Sequence, residues 1–361
     1  MDSKPWRRVI PYLSATVGLL AAATTLQAAE PLRAYNVDIR QTSVSGLSSG
    51  GYMAVQLDVA FSSILKGAGI VAGGPYYCAQ GSVSTALGPC MAASAPVDIP
   101  ELVRLTNDSA AAGVIDPISH LANHKVWLFS GGADSIVKQS VMNDLEAYYK
   151  NYISSANIFH KKRASAEHAM PTENYGNQCS VRDDPYINDC DYDAAGHLLE
   201  WIYNGLNPKA TEPLTGTFLE FDQGEFISNP NAHSMASTGW LYVPANCASG
   251  ASCKLHVAFH GCRQYPSYAY RRGGIQVAYG TTFVKNAGYN EWADSNSMIV
   301  LYPQAQRTSR WFWDIWDFFN ANPQGCWDWW GYDDPNYAKK SGRQMAAVKK
   351  MIDRIAGSHL R

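Results

Sequence analysis

The chain has almost no excess of charge of either sign: 29 Lys and Arg face 31 Asp and Glu, a net charge of -2. No basic cluster breaks this balance, so the electrostatic footprint of a nucleic-acid partner is missing and none is expected. Beyond the N-terminal segment no apolar run reaches the length of a bilayer span, so no membrane partner is expected for the mature chain. No C-x-x-C pair with matching histidines occurs, which leaves a zinc site without a ligand set; no metal and no other cofactor is expected. Repeats, low-complexity tracts and a Pro/Ser/Thr-rich linker are also missing, which argues against solenoids and tethered extra modules.

What is present begins with an export signal. Lys4, Arg7 and Arg8 form a charged start, 17–23 is a short apolar core, and Leu26-Gln27-Ala28 offers small residues for cleavage. Residues 1–29 therefore read as a signal peptide. The remaining 30–361 read as one catalytic domain, secreted or possibly periplasmic, and a monomer. The eight cysteines suit an oxidising compartment. Sequence proximity suggests Cys78–Cys90, Cys179–Cys190 and Cys247–Cys253, leaving Cys262–Cys326 as a long-range staple, although order alone does not determine connectivity.

Strand-like runs alternate with helix-like ones. Strands are expected over 36–44, 66–72, 125–130 and 157–161, then over 217–222, 239–243, 254–259 and 298–302. Helices are expected over 52–64, 101–112, 137–153, 193–203 and 341–355, and 81–100 reads as loop. This alternation implies an α/β fold, a mainly parallel sheet with helices on both faces. In such sheets chemistry sits beyond the carboxyl ends of the strands.

Gly46-Leu47-Ser48-Ser49-Gly50 lies between a strand and a helix, the context of a nucleophile elbow. A serine hydroxyl needs a base, and the base needs an acceptor on its second nitrogen. His168 and Asp134 each follow a strand and supply these groups in the order Ser48, Asp134, His168. Taken alone, Asp134 would read as a turn or capping residue. The other histidines at 120, 124, 197, 233 and 359 read as surface or packing residues.

Acyl transfer also needs oxyanion donors. The N–H of Ser49 is one. The second belongs to a His-Gly loop that ordinarily precedes the serine. Here the matching loop, His260-Gly261-Cys262, lies far downstream. The two halves of an α/β-hydrolase sheet are thus expected in exchanged order. The first half, 30–206, carries nucleophile, acid and base; the second, 214–361, carries the oxyanion and aromatic loops, with 207–213 as the joint. Arg310-Trp311-Phe312-Trp313 and the ring-rich 325–332 read as loops. Pinned by Cys326, the second could wall a crevice, with Trp327 the first candidate.

Several stretches resemble the poly(3-hydroxybutyrate) depolymerases of the single-domain type with a circularly permuted α/β-hydrolase fold. They are the elbow with Gly51-Tyr52-Met53-Ala54, Gly131-Gly132-Ala133-Asp134, Glu167-His168-Ala169-Met170-Pro171-Thr172, Ser234-Met235-Ala236-Ser237-Thr238-Gly239, His260-Gly261-Cys262 and Asn322-Pro323-Gln324-Gly325-Cys326-Trp327-Asp328-Trp329. The resemblance implies an exported serine esterase acting on polyhydroxybutyrate and its oligomers. Ser48, Asp134 and His168 would be the triad, the N–H groups of Ser49 and Cys262 the oxyanion hole, and Trp327 and His260 substrate contacts. Multidomain relatives add a linker and a polymer-binding domain; the chain ends without either, which points to amorphous polymer or released oligomers. The competing expectations are an esterase for feruloyl or acetyl groups on xylan and a non-catalytic polymer-binding protein.

Overall fold

A computed structural model describes residues 1–2, 29–308 and 322–357. The signal-like segment and the run Arg310-Trp311-Phe312-Trp313 lie outside the described residues. One sheet takes strands from both halves of the chain. The first half gives β1 (Val37–Leu47), β2 (Leu65–Val71), β3 (Lys125–Gly131) and β4 (Ile158–Arg163). The second gives β5 (Thr217–Asp222), β6 (Thr238–Val243), β7 (Cys253–Phe259) and β8 (Met298–Tyr302). Their spatial order is β4-β3-β2-β1-β7-β8-β6-β5. All neighbours pair in parallel from β4 to β8, while β6 runs antiparallel to both β8 and β5.

The halves join at β1 and β7, where Ser45 pairs with Ala258 and Gly46 with Phe259. β8 is apolar throughout and β7 nearly so, its mid-strand His256 being bonded to Ser43 and Ser45 of β1 at 2.7 Å; both are buried, as strands covered on both faces must be. The strand feeding the His-Gly-Cys loop thus lies beside the nucleophile strand but follows it in the chain, so the α/β-hydrolase order is permuted. The stretch entering β1 meets the last helix accordingly: the Tyr35 N–H donates to the Ile355 carbonyl at 2.8 Å.

Helix α1 (Ser49–Ala60) is buried along its whole length and packs on β1 and β2. It starts three residues before its expected position, because the elbow turns directly into it, and ends four earlier, to let the chain enter β2. Helix α2 (Ile99–Ala111) is capped by Asp98, whose carboxylate accepts the Glu101 N–H. Helix α3 (Gln139–Tyr149) is shorter than the 137–153 pattern, because Lys138 is extended at φ -61 and ψ 143 and leaves Val137 in the turn before the helix. Helices α4 (Ala194–Tyr203) and α5 (Arg343–Ile355) complete the five expected ones, and short helices at Ala245–Ala248, Thr282–Asn286 and Asn290–Ser295 add to them. The stretch 81–100 is not all loop: it holds a short helix at Val83–Leu87 and a wide turn at Gly88–Ala92. All four disulfides have the expected partners, and Cys262–Cys326 spans a sequence separation of 64.

A buried charge pair fixes α1 to the foot of β3. His124 Nδ1 lies 2.8 Å from Asp58 Oδ1 and Nε2 lies 2.9 Å from the Ser62 carbonyl. The Tyr149 hydroxyl donates to the other Asp58 oxygen at 2.9 Å. Both ring nitrogens face acceptors, so both carry protons. Burial opposes the imidazolium, but the Asp58 charge and the two hydrogen bonds outweigh it, and the pKa is raised. A raised folded pKa gives stability that is complete below the unfolded-state value of about 6.5 and lost as pH climbs through the folded one. Thermal unfolding from about pH 6 to about pH 9 should therefore show the gap between wild type and Asp58→Asn, about 3–5 kcal/mol at its widest, narrowing as pH rises. A pH-independent gap would contradict the charged assignment.

Candidate active site

The elbow serine sits in a conformation few residues adopt, with φ 56 and ψ -123. Such strain persists only where the surroundings enforce it. Here the enforcement is crowding. A Cβ at position 46 would lie 2.1 Å from the Gly50 carbonyl oxygen, and one at position 50 would lie 2.4 Å from the oxygen of His260. The Ser48 N–H is held by the Val71 carbonyl at 2.9 Å. Only glycines let β1, α1 and the head of β7 meet this closely.

Asp134 has both roles that its sequence context offers. Oδ1 accepts the N–H groups of Ile136 and Val137, each at 2.8 Å, as a turn cap does. Oδ2 lies 2.9 Å from His168 Nδ1. The cap immobilises the carboxylate, and the immobilised carboxylate orients the imidazole with Nδ1 protonated, leaving Nε2 as a base. Glu167, not singled out by sequence, braces this loop: its Oε2 accepts the N–H groups of His168 at 2.7 Å and Ser135 at 3.2 Å.

Ser48 and His168 line one cleft of about 470 Å³ with Ser49, Gly261 and Cys262. The Ser49 N–H opens α1 and has no acceptor within the helix. The Cys262 N–H has no partner among the described residues. A carbonyl bound at Ser48 would thus meet a nucleophile, a base and free backbone donors, the set required for acyl transfer. The rest of the cleft is mostly aliphatic and aromatic, with Leu87, Met91, Ile136 and Pro323 among its walls. Arg263 also lines it, but Asp184 neutralises the guanidinium at 2.6 Å. Such a wall suits an uncharged aliphatic ester.

Two expected substrate contacts are corrected. Trp327 is 0% exposed and lines no part of this cleft. Its ring packs edge-on against Phe259, and its Nε1 donates to the His260 carbonyl at 3.0 Å. His260 is likewise buried, at 1% exposed. The cleft wall is made by the next two rings, Trp329, stacked on Tyr52 at 3.9 Å, and Trp330. Asp328 decides which ring points where: its carboxylate collects the N–H groups of Gly331, Tyr332, Asp333 and Asp334, which curls the loop. Tyr186 and Arg263 at the mouth had no sequence signal, except that Arg263 adjoins the His-Gly-Cys motif.

A serine–histidine–carboxylate chain is not by itself a site. Ser130 Oγ lies 2.9 Å from His160 Nε2, and His160 Nδ1 lies 2.8 Å from Glu146 Oε2. Yet Ser130 is 2% exposed; this relay ties β4 to α3 and offers no room for a substrate. Among the described residues no group of three or more His, Cys, Asp or Glu is placed to hold a metal ion.

Two measurements separate the roles argued above. Asp134→Asn should lower kcat by about 10⁴ with the fold intact, because the imidazole tautomer is no longer enforced. Trp327→Ala should lower stability by about 3–5 kcal/mol in denaturant unfolding and leave KM unchanged, whereas Trp330→Ala should raise KM at nearly unchanged stability. The reverse pattern would restore Trp327 to the cleft wall.

No family model matches the chain. A poly(3-hydroxybutyrate) depolymerase of Delftia acidovorans is 50% identical over 342 residues, covering 93% of this chain and 64% of the relative, so the chain spans just under two thirds of that protein's length. A polyhydroxybutyrate depolymerase of Talaromyces funiculosus is 41% identical over 344 residues, covering 93% of this chain and 96% of the relative. The crystal structure of the PHB depolymerase from Penicillium funiculosum, and a serine-to-alanine variant of a PHB depolymerase complexed with an R3HB trimer, are each 39% identical with a TM-score of 0.79. Each comparison covers 91% of this chain and 99% of the solved one. Identity of 41% across nearly the full length of both chains, on the same permuted sheet, places this chain in the poly(3-hydroxybutyrate) depolymerase family.

Proposed function

We propose that the protein is an exported, monomeric serine esterase that hydrolyses the ester bonds of poly(3-hydroxybutyrate) and its oligomers. The observation that carries this reading is the Asp134–His168 hydrogen bond, at 2.9 Å, aimed into the same cleft as the Ser48 hydroxyl. Membership of the family supplies the substrate class, and a solved relative holds an R3HB trimer. Four disulfides favour an oxidising destination.

In this mechanism Ser48 Oγ attacks the ester carbonyl while His168 Nε2 takes its proton. The N–H groups of Ser49 and Cys262 hold the negative oxygen of the tetrahedral intermediate. His168 then returns the proton to the leaving alkoxide, releasing the hydroxyl end of the chain. A water molecule, deprotonated by His168, attacks the acyl-enzyme; the bond to Ser48 Oγ breaks, His168 returns the proton to that oxygen, and the carboxylic acid end is freed. The apolar walls accommodate methyl-branched ester units and contribute no charge of their own to select an acid.

A turbid polyhydroxybutyrate suspension tests this directly. Wild type should clear it and release hydroxybutyrate oligomers, and Ser48→Ala should lose at least about 10⁴ of the rate while still adsorbing to polymer. Cleavage of feruloyl esters without clearing would overturn the substrate assignment. Adsorption by wild type with no hydrolysis at all would overturn the enzymatic one.

A further inference from the structure

The second oxyanion donor is a backbone group, and its direction is set by the peptide unit that carries it. Two successive units cross the head of β7: His260–Gly261 and Gly261–Cys262. Neither is a cis peptide, so in each the C=O and N–H point in opposite directions. In the first unit the carbonyl accepts from Trp327 Nε1 at 3.0 Å, and the N–H donates to Gln264 Oε1 at 2.6 Å. In the second the carbonyl lies 2.7 Å from His260 Nδ1. Three of these four groups are held by side chains. The fourth is the Cys262 N–H, which points away from His260; Cys262 lines the cleft with Ser48.

The protonation of His260 follows from its partners. The Gly261 carbonyl can only accept, so Nδ1 carries hydrogen. The Ala305 N–H can only donate, and it lies 3.1 Å from Nε2, so Nε2 carries none. Burial pushes the pKa down to about 4, which keeps the ring neutral in this single tautomer at ordinary pH.

We propose that His260, Gln264 and Trp327 are positioning residues for the oxyanion donor, fixing two peptide planes so that the Cys262 N–H faces the reacting carbonyl at Ser48. This rests on the esterase reading given above. It also extends the hold outward, since Gln264 Nε2 donates to the carbonyls of Pro185 and Tyr186 at 3.0 and 3.2 Å, and Tyr186 lines the cleft. Space at Gly261 is tight as well: a Cβ there would lie 3.1 Å from Gln264 Oε1, so the Gln264 side chain would have to give by a few tenths of an ångström.

The test uses the full chain and a soluble ester, p-nitrophenyl butyrate. His260→Asn keeps an amide donor near the Nδ1 position; His260→Gln keeps an acceptor near Nε2 and loses that donor. His260→Gln should lower kcat by about 10²-fold with KM within about threefold, and should weaken a trifluoromethyl ketone, which forms a tetrahedral adduct, by a similar factor. His260→Asn should recover most of both. Should His260→Gln fail to fold, Gln264→Met is expected to show the same kcat loss, with a change in KM beside it because Gln264 also holds the Tyr186 carbonyl. Retained kcat, a loss confined to KM, or an Asn variant no better than the Gln variant would overturn the positioning role. An inactive wild type would overturn the esterase reading and this inference with it.

Discussion

The parallel pairing of β1 with β7 is the contact on which the site depends. It joins halves that are far apart in the chain, and its register sets the elbow of one beside the His-Gly-Cys loop of the other. The closeness is extreme. The backbone of Gly50 is pressed against the carbonyls of Phe259 and His260, so near that a single methyl group would not fit. The strain at Ser48 is one result of this crowding and its place in the cleft wall is another. A looser seam would relax the serine and part it from the His-Gly-Cys loop together.

Around that seam the polar groups are arranged in pairs of duties. Asp134 caps a turn with one oxygen and orients His168 with the other. His260 donates to one backbone group and accepts from another. Trp327 fills core volume beside Phe259 and holds a carbonyl. In each case the bond that fixes the side chain also makes its second bond directional. The disulfide Cys262–Cys326 adds a covalent clasp where the oxyanion loop meets the aromatic loop. It ties the His-Gly-Cys loop to the loop that carries Trp329 and Trp330.

Much of this was legible in the residues. Alternating elements and a glycine-flanked serine identify an α/β sheet with an elbow, because turn sterics and hydrophobic periodicity are local properties. The order Ser48, Asp134, His168 and the misplaced His260-Gly261-Cys262 were enough to expect exchanged halves. Cysteine pairing followed where partners were near in sequence. The hairpin at Ala269–Arg272 and Ile275–Ala278, turned at Gly273-Gly274, is not among the expected strands, although Gly-Gly is a hairpin signal. Tyr186, Glu167 and Gln264 were invisible, since their importance lies in what they touch.

The cluster Trp327-Asp328-Trp329-Trp330 shows most clearly where sequence reading stops. Three adjacent rings are alike in composition, and a loop has no periodicity to sort them. Their directions are set by Asp328 gathering four backbone N–H groups, by the Cys326 clasp and by the pocket beside Phe259. All of these are contacts formed only after folding. The sequence by itself determined the elements, the chemistry-bearing residues and their permuted order, because those rest on local sterics and chain order. Tertiary structure alone decided that Trp329 and Trp330 face the cleft while Trp327 and His260 turn inward, because side-chain direction in a loop is set by the contacts that enclose it.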